Sequence, residues 1–301
     1  MYSKLLLQKQ CALGEGLHWD SQRALIWFVD INSKELMSFD LETKKLSTFS
    51  MPEKIGWVIT KINSSDLVIG LKSGIALFNP ENGLDSLSWI NKNFPSKQEV
   101  RLNDAKADEM GRIWAGSLNE KNDTLPDGCL VKYGLNGQPV IMDKNYCVAN
   151  GPAINTINQK LFHTDSSKRI IYEFRFDSKR GLISNKKIWR VFEDAEGHPD
   201  GMCFDKQGFL WVAHWGGGMV SKLDENGQTV AEIPIPAKYV TNVCFAGPNL
   251  DRLIVSTADH HPPNQVDKDF QRNNSKAGCL FEIYDHQTFG MTVFSCQIET
   301  S

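Results

Sequence analysis

The sequence has little surplus charge and lacks the short motifs that mark several common enzyme classes. Its 301 residues carry a formal net charge of −3 and no long Lys/Arg run, which argues against a surface built to hold nucleic acid. No Gly-x-Ser-x-Gly or His-Glu-x-x-His occurs, which disfavours a serine esterase and a zincin. The run Gly14-x-Gly16 meets Trp19 where a dinucleotide-binding fingerprint needs its last glycine.

Paired cysteines and a long apolar run are also missing. The seven cysteines form no Cys-x-x-Cys pair, and Cys203, Cys244 and Cys279 lie inside apolar strand patterns, where a thiol behaves as a small hydrophobe. This pattern indicates a reducing compartment. The opening leucines are followed by polar residues, well short of the ~18 apolar residues of a membrane span. We therefore expect a soluble, cytoplasmic protein with no membrane partner.

A repeated unit runs through most of the chain. Each copy has a short apolar strand, a polar turn that is Asp-x-x-Gly in its clearest form, a second apolar strand and then a third. One position of the second strand recurs at intervals of 41 to 49 residues, at Trp27, Val68, Trp114, Phe162, Trp211 and Ile254. Such a period is typical of propeller blades. The sequence therefore predicts an all-β, six-bladed β-propeller forming one domain over residues 1–301, in preference to an irregular β-sandwich.

Two further expectations concern closure and loops. The ring is expected to close by pairing residues 3–8 with a strand near residues 291–296, because closure removes exposed sheet edges. The polar insertions at 119–127 and 260–276 are expected to be surface loops. The pair His260-His261 lies in the second insertion, beside two prolines, and this setting argues against a metal-binding role.

A ring of polar residues is predicted where the innermost strands begin. Eleven or twelve residues before the recurring position stand Glu15, Trp57, Asn103, Asn150, Asp200 and Asn242. Equivalent positions of a propeller converge near its axis. Buried carboxylates are costly unless they are paired or bind a cation, so a metal site is the simplest explanation. Oxygen donors favour a hard or borderline divalent ion such as Ca²⁺, Mg²⁺, Mn²⁺ or Zn²⁺, and the identity of the ion stays open.

The chain contains two copies of Pro-Asp-Gly, at Asp127 and Asp200, which differ in their position in the repeat. Pro-Asp-Gly is a common turn sequence, and its copy at Asp127 precedes an outer strand, whereas Asp200 falls in the register of the ring. Of these two aspartates, only Asp200 is therefore a candidate functional residue.

Arg101 stands two residues before Asn103, so both side chains are expected on one face of a strand. There Arg101 would bind a substrate hydroxyl, a carboxylate or an oxyanion, or would form an ordinary ion pair.

Six ordered motifs resemble the regucalcin/gluconolactonase family of six-bladed propeller sugar lactonases. They are Gly-Glu15-Gly, Arg101-Leu-Asn103-Asp104, Ala-Asn150-Gly-Pro-Ala, Phe-His-Thr-Asp165-Ser, Pro-Asp200-Gly-Met-Cys-Phe-Asp and Leu-Trp211-Val-Ala. The segments Trp-Gly-Gly-Gly and Pro-Ile-Pro-Ala-Lys-Tyr-Val-Thr resemble the bacterial branch that acts on aldonolactones. The turn at residues 155–160 departs from the Ser-Pro-Asp-Gly usual in the family.

The resemblance implies a function and a site. The implied activity is divalent-metal-dependent hydrolysis of a sugar lactone such as gluconolactone or arabinonolactone. One ion, Ca, Zn, Mn, Mg or Fe, would be held by Glu15, Asn150 and Asp200, with Asp200 also the catalytic base. Arg101 and Asn103 would bind the substrate, and Glu120 matches a third substrate-binding position less closely.

The resemblance also permits a different class of function, a non-catalytic calcium-binding regulatory propeller. The convergence of Glu15, Asn150 and Asp200 favours the enzyme, because a scaffold does not need it. A bound cation favours an ionised carboxylate, so the pKa of Asp200 is expected below the ordinary ~3.9. The oligomeric state and the preferred lactone stay open.

Overall fold

The computed structural model describes residues 1–259 and 276–299, and these are almost entirely β-strand and turn. Their helical segments are two short 3-10 turns, Gly83–Ser86 and Asp194–Glu196. No helix in these ranges is long and apolar enough to cross a membrane. The insertion predicted at 260–276, with His260 and His261, lies outside the described residues except for Lys276.

Sixteen strands form four antiparallel sheets that follow one another along the chain. The first two sheets are β2 (Gly14–Asp20), β3 (Leu25–Asp30), β4 (Glu35–Asp40), β5 (Leu46–Ser50) and β6 (Ile55–Thr60), β7 (Leu67–Leu71), β8 (Gly74–Phe78), β9 (Ser88–Asn91). The next two are β10 (Val100–Ala107), β11 (Ile113–Asn119), β12 (Gly128–Tyr133), β13 (Pro139–Tyr146) and β14 (Ala149–Asn155), β15 (Lys160–Asp165), β16 (Ile170–Asp177), β17 (Leu182–Val191).

The other eight strands are joined in one sheet. They are β18 (His198–Phe204), β19 (Leu210–Trp215), β20 (Met219–Leu223), β21 (Thr229–Pro234), β22 (Tyr239–Ala246), β23 (Arg252–Ala258), β24 (Leu280–Tyr284) and β1 (Tyr2–Leu7). The link between its halves is a single pairing of Trp215 with Tyr239. One half contains β18 to β21, and the other contains β22, β23, β24 and β1.

The first strands of these sets pack side by side. Strand β2 contacts β6, β6 contacts β10, and the series continues through β14 and β18 to β22, which contacts β2. The apolar core lies between neighbouring sheets, as where Trp57 of β6 packs in one cluster with Leu102 of β10 and Val131 of β12. This all-β arrangement of four-stranded sheets is consistent with a β-propeller.

Three of the repeats share a buried hydrogen bond that explains their sequence. The indole N–H of the second-strand tryptophan donates to an aspartate at the preceding turn, and that aspartate also accepts backbone N–H groups of the turn. The pairs are Trp27 with Asp20 at 3.2 Å, Trp114 with Asp108 at 2.9 Å and Trp211 with Asp205 at 3.0 Å. A buried indole needs such an acceptor, so the Asp turn and the Trp strand occur together.

The predicted closure was right about β1 and wrong about its partner. Strand β1 pairs with β24, with Tyr2 opposite Tyr284, and residues 291–296 form no extended strand. Met291, Val293 and Phe294 pack against three different clusters of the core instead. The apolar residues of this segment therefore cover the packed sheets and do not extend one of them.

Candidate active site

Every one of the six first strands has an irregular register near its candidate site residue. The shifts lie between Glu15 and His18, Ile55 and Trp57, Leu102 and Ala105, Asn150 and Ala153, Pro199 and Met202, and Val240 and Asn242. A β-bulge re-aims the side chains beside it. Gly16, with φ of +61°, supplies the left-handed backbone that the bulge of β2 requires. The bulges interrupt the strand alternation at this end of the sheets.

All six predicted site residues line one cavity of about 510 Å³. They are Glu15, Arg101, Asn103, Glu120, Asn150 and Asp200. Lys54, His198 and Trp215 also contribute to its walls. The volume is in the range of small-molecule sites. The structure therefore brings the predicted residues together although they come from four sheets.

The ring prediction was wrong for Trp57. Its side chain is fully buried in the core, where the indole lies against the backbone of Gly70, a position with no Cβ to obstruct it. The register shift of β6 lies at this residue. Trp57 therefore contributes to packing between sheets and does not line the cavity.

Glu15 and Asp200 form a buried acidic pair. Each is 4 % exposed, and Oε2 of Glu15 accepts hydrogen bonds from the backbone N–H of Gly16 and from Nδ2 of Asn242, both at 3.0 Å. Burial and the charge of Asp104 raise the pKa of Glu15 to about 8. Oδ1 of Asp200 is buried and has no hydrogen-bond partner among the described residues. Burial is the largest influence on the pKa of both carboxyl groups.

The pKa of Asp200 therefore departs from the expectation made for a cation-bound site. Burial and the negative charge of Glu15 raise the pKa of Asp200 well above its usual value. The protein's own groups raise the pKa of Asp200, whereas a bound cation would lower it. Burial and neighbouring negative charge therefore favour the protonated forms of these two carboxyl groups, and a bound cation would favour the ionised forms.

Asn150 is held from both sides. Its Oδ1 accepts a hydrogen bond from Nδ2 of Asn103 at 2.7 Å, and its Nδ2 donates to the hydroxyl of Ser166 at 3.0 Å. Oδ1 of Asn103 in turn accepts from Nη1 of Arg101 at 2.7 Å. Arg101 and Asn103 therefore share one network, which ends on the candidate ligand Asn150, and both residues line the cavity.

Glu120 lies on the cavity wall between two lysines. Its carboxylate pairs with Lys54 at 2.8 Å and with Lys72. Burial would raise the pKa of Glu120, but the hydrogen bonds from the two lysines outweigh it and lower the pKa to about 2. Glu120 is therefore an ionised acceptor, and Lys54 places a positive charge beside it in the cavity.

The donor set suits a hard divalent ion. It offers carboxylate oxygens from Glu15 and Asp200 and an amide oxygen from Asn150, the ligand types that such ions prefer. The unpaired buried Oδ1 of Asp200 is the observation that a cation would explain. Within residues 1–259 and 276–299, no three His, Cys, Asp or Glu side chains are grouped to hold a metal. The candidate set has two carboxylates, with a carboxamide as its third member.

Asp104 was not among the predicted site residues, and Asn242 was predicted only as one position of the ring. Asp104 is 1 % exposed and Asn242 is fully buried, and Nδ2 of Asn242 donates to Oδ2 of Asp104 at 3.1 Å. Burial raises the pKa of Asp104 as well, so a third buried carboxyl group belongs to this cluster. The position of Asp104 directly after Asn103 in the motif could have indicated that it lies near the site. Strict strand alternation, however, would place its side chain on the opposite face from that of Asn103.

Comparison with known proteins shows related sequences over most of the chain. The sequence profile of the "SMP-30/Gluconolactonase/LRE-like region" matches residues 13–259. Pentonolactonase XacC of Haloferax volcanii is 26 % identical over 278 residues, covering 92 % of each chain. The 6-deoxy-6-sulfogluconolactonase of Pseudomonas putida is 26 % identical over 279 residues, covering 92 % of this chain and 93 % of its own.

A solved structure shows the same fold. The crystal structure of regucalcin from Agrobacterium tumefaciens, named a calcium-binding protein, superposes with a TM-score of 0.89 at 22 % identity. The match covers 98 % of this chain and 97 % of that one. Because the family profile covers most of the residues, the chain belongs to the SMP-30/gluconolactonase/LRE-like family.

Proposed function

We propose that residues 1–301 form one domain, a six-bladed β-propeller that hydrolyses sugar lactones with the help of one divalent metal ion. The blade count is supported by the series of six first strands in which β22 returns to β2. It is also supported by the single pairing, Trp215 with Tyr239, that joins the two halves of the eight-stranded sheet. That sheet would then contribute two blades.

The observation that carries the functional proposal is the buried pair Glu15 and Asp200 in an open polar cavity. The cavity of about 510 Å³ has room for a monosaccharide-sized substrate. The relatives named above as lactonases support an aldonolactone, such as gluconolactone or arabinonolactone, as the substrate. Glu15, Asn150 and Asp200 would hold the ion, and its identity among Ca, Zn, Mn, Mg and Fe stays open.

Asp200 would serve as the catalytic base. Glu15, Asn150 and Asp200 would hold a divalent ion, which would supply Lewis acidity to polarise the lactone carbonyl. Asp200 takes a proton from a water molecule as the water oxygen attacks the carbonyl carbon. The ring C–O bond then breaks, and Asp200 returns the proton to the leaving ring oxygen, so the product is the open aldonic acid. The burial that raises the pKa of Asp200 also makes the ionised group a stronger base.

Substrate binding would fall to Arg101, Asn103 and Glu120. Arg101 is 8 % exposed and lines the cavity, so its guanidinium is placed to donate to a substrate oxygen. Glu120 is ionised and accepts hydrogen bonds, which suits a sugar hydroxyl. Asn103 has an additional task, since its side chain connects Arg101 with Asn150.

The test is lactone hydrolysis by protein stripped of metal and reloaded. A panel of aldonolactones is followed by proton release, with the spontaneous rate subtracted, for chelated protein and for protein supplied with Ca²⁺, Mn²⁺, Zn²⁺, Mg²⁺ or Fe²⁺. We expect turnover to vanish on chelation and to return with at least one ion. Full turnover in protein shown by elemental analysis to be free of metal would contradict the metal dependence. Ion binding without turnover of any lactone would favour the regulatory alternative.

A further inference from the structure

Asn242 occupies an unusual position between two buried carboxyl groups. Its Nδ2 donates to Oε2 of Glu15 at 3.0 Å and to Oδ2 of Asp104 at 3.1 Å. An amide nitrogen carries two hydrogens, so each carboxyl group receives one. Asn242 comes from β22, whereas Glu15 lies in β2 and Asp104 in β10. One neutral side chain therefore connects three of the first strands.

Asp104 is itself held in place, which makes it a fixed anchor for the amide. Its Oδ1 accepts the backbone N–H of Ala105 at 2.7 Å and lies 3.6 Å from Nζ of Lys106. Asp104 is 1 % exposed, and the Lys106 side chain is 18 % exposed. The ammonium group supplies a positive charge on the side of Asp104 away from the amide nitrogen. Asn242 thus hydrogen-bonds to a carboxyl group that cannot turn freely.

The backbone next to Asp200 leaves room for this amide. A Cβ on Gly201 would overlap the side-chain carbon and nitrogen of Asn242, so the amide rests directly on the glycine backbone. The position of Asn242 is therefore coupled to the strand that carries Asp200 as well as to Glu15. The carboxyl groups of Glu15 and Asp104 repel each other when both are ionised. The Asn242 amide donates to both groups and so opposes their moving apart.

We propose that Asn242 is a positioning residue that fixes the carboxylate of Glu15 for ion binding, with Asp104 and Lys106 as its support. The inference rests on the proposed metal site and adds to it a residue outside the ligand set. Asn242 does not line the cavity, so it acts through Glu15 and not on the substrate. Residues that orient a metal ligand typically change metal affinity by ~10–100-fold when they are replaced.

The experiment measures ion affinity in the full-length protein. Metal-free wild type, Asn242→Ala and Asn242→Leu are titrated by calorimetry with Ca²⁺, Mn²⁺ or Zn²⁺ alone, at a temperature where each is folded. The alanine leaves space and the leucine fills it, so the two variants disturb packing in different ways. We expect both to bind the ion ~10–100-fold more weakly than the wild type. Turnover should recover more fully with excess ion than with limiting ion.

A matched control separates positioning from loss of stability. Asn155 is 2 % exposed and accepts backbone N–H groups of Ile157 and Asn158 in the turn that follows β14. Asn155→Ala should lower the melting temperature and keep wild-type ion affinity. Wild-type affinity in both Asn242 variants would overturn the positioning role alone. Absence of ion binding in the wild type would overturn the proposed metal site, and this inference with it.

Discussion

The tripeptide Pro-Asp-Gly occurs twice, and its two aspartates lie in opposite electrostatic surroundings. Asp127 precedes β12, pairs with Lys97 at 2.5 Å and accepts a hydrogen bond from Asn119, and these contacts lower its pKa. Asp200 lies in β18, is 4 % exposed and has an unpaired buried oxygen, and burial raises its pKa. The same three residues therefore give a carboxyl group with a lowered pKa in one place and a buried carboxyl group with a raised pKa in the other.

The difference comes from position within the repeat. Asp200 stands in a first strand, where a register shift turns its side chain toward the cavity. Asp127 stands before a third strand, farther from the ring of first strands. The two copies of Pro-Asp-Gly are therefore distinguished by their register in the repeat and not by the local motif.

The largest contrast is expected in turnover. Asp200→Asn keeps the shape and an oxygen donor but cannot accept a proton, so the rate of lactone hydrolysis should fall ~10²–10⁴-fold at saturating metal. Asp127→Asn should leave the rate unchanged. Similar small effects of the two substitutions would show that Asp200 is only a turn residue.

The glycines that follow the two aspartates sharpen the contrast. A Cβ on Gly201 would overlap the Asn242 amide, and a Cβ on Gly128 would overlap the carbonyl oxygen of Ser117. Both alanine variants should lose stability, by ~1–3 kcal/mol for overpacking. Only Gly201→Ala should also weaken ion affinity, by ~10–100-fold, because it displaces a side chain that holds a ligand. Calorimetric titration beside thermal melting distinguishes the two, and equal affinities would refute the distinction.

The stability of metal-free protein should depend on pH in a way that reflects Asp200 and Glu15. Their folded-state pKa values are raised, to about 8 for Glu15, so the folded state binds more protons than the unfolded state between pH ~4 and ~8. The contribution of this pair to stability is therefore fully present below pH ~4 and is lost as pH rises.

Melting curves across this range provide the measurement. The melting temperature of metal-free wild type should fall as pH rises toward 8, and that of Asp200→Asn should fall less. Asp127→Asn should follow the wild type in this window, because the lowered pKa of Asp127 affects stability only at acid pH. A wild-type slope no steeper than that of Asp200→Asn would contradict the raised pKa.

The smallest effect is expected from removing the exposed ion pair between Lys97 and Asp127. Lys97 is 62 % exposed in its pair with Asp127, and exposed ion pairs contribute little in water. Lys97→Met should therefore leave turnover and ion affinity unchanged, with a melting temperature close to that of the wild type. A clear loss of turnover would show that this loop participates in the active site.

Much of the fold could be predicted from the sequence, because each repeat consists of apolar strand segments separated by turn residues. Trp27, Trp114 and Trp211 recur with an aspartate at the preceding turn, and the hydrogen bond between them fixes both residues. The closure partner was not predictable from local pattern, since the apolar residues 291–294 have the composition of a strand. Whether such a segment pairs with a sheet or covers its end depends on contacts distant in sequence.

The candidate site was predictable in outline but not in its connections. Spacing placed Glu15, Asn150 and Asp200 among six converging repeat positions, and the family resemblance then singled out these three as the predicted ligands. Bulges in the first strands break the alternation on which side-chain direction is judged, so the prediction for Trp57 was wrong and the buried contact of Asp104 with Asn242 was not predicted. The hydrogen bonds of Asn242 join strands that lie far apart in the chain, so no local sequence pattern predicts them.

The pairing of β1 with β24 also constrains how the protein is made. Strand β1 ends at Leu7, whereas β24 begins at Leu280, so the first strand leaves the ribosome long before its partner exists. At ~5–20 residues per second this wait lasts roughly 15 to 55 s. The last four-stranded set can therefore form only after nearly the whole chain has been synthesised, and until then β1 and the edge of β23 stay open to other chains in the cell.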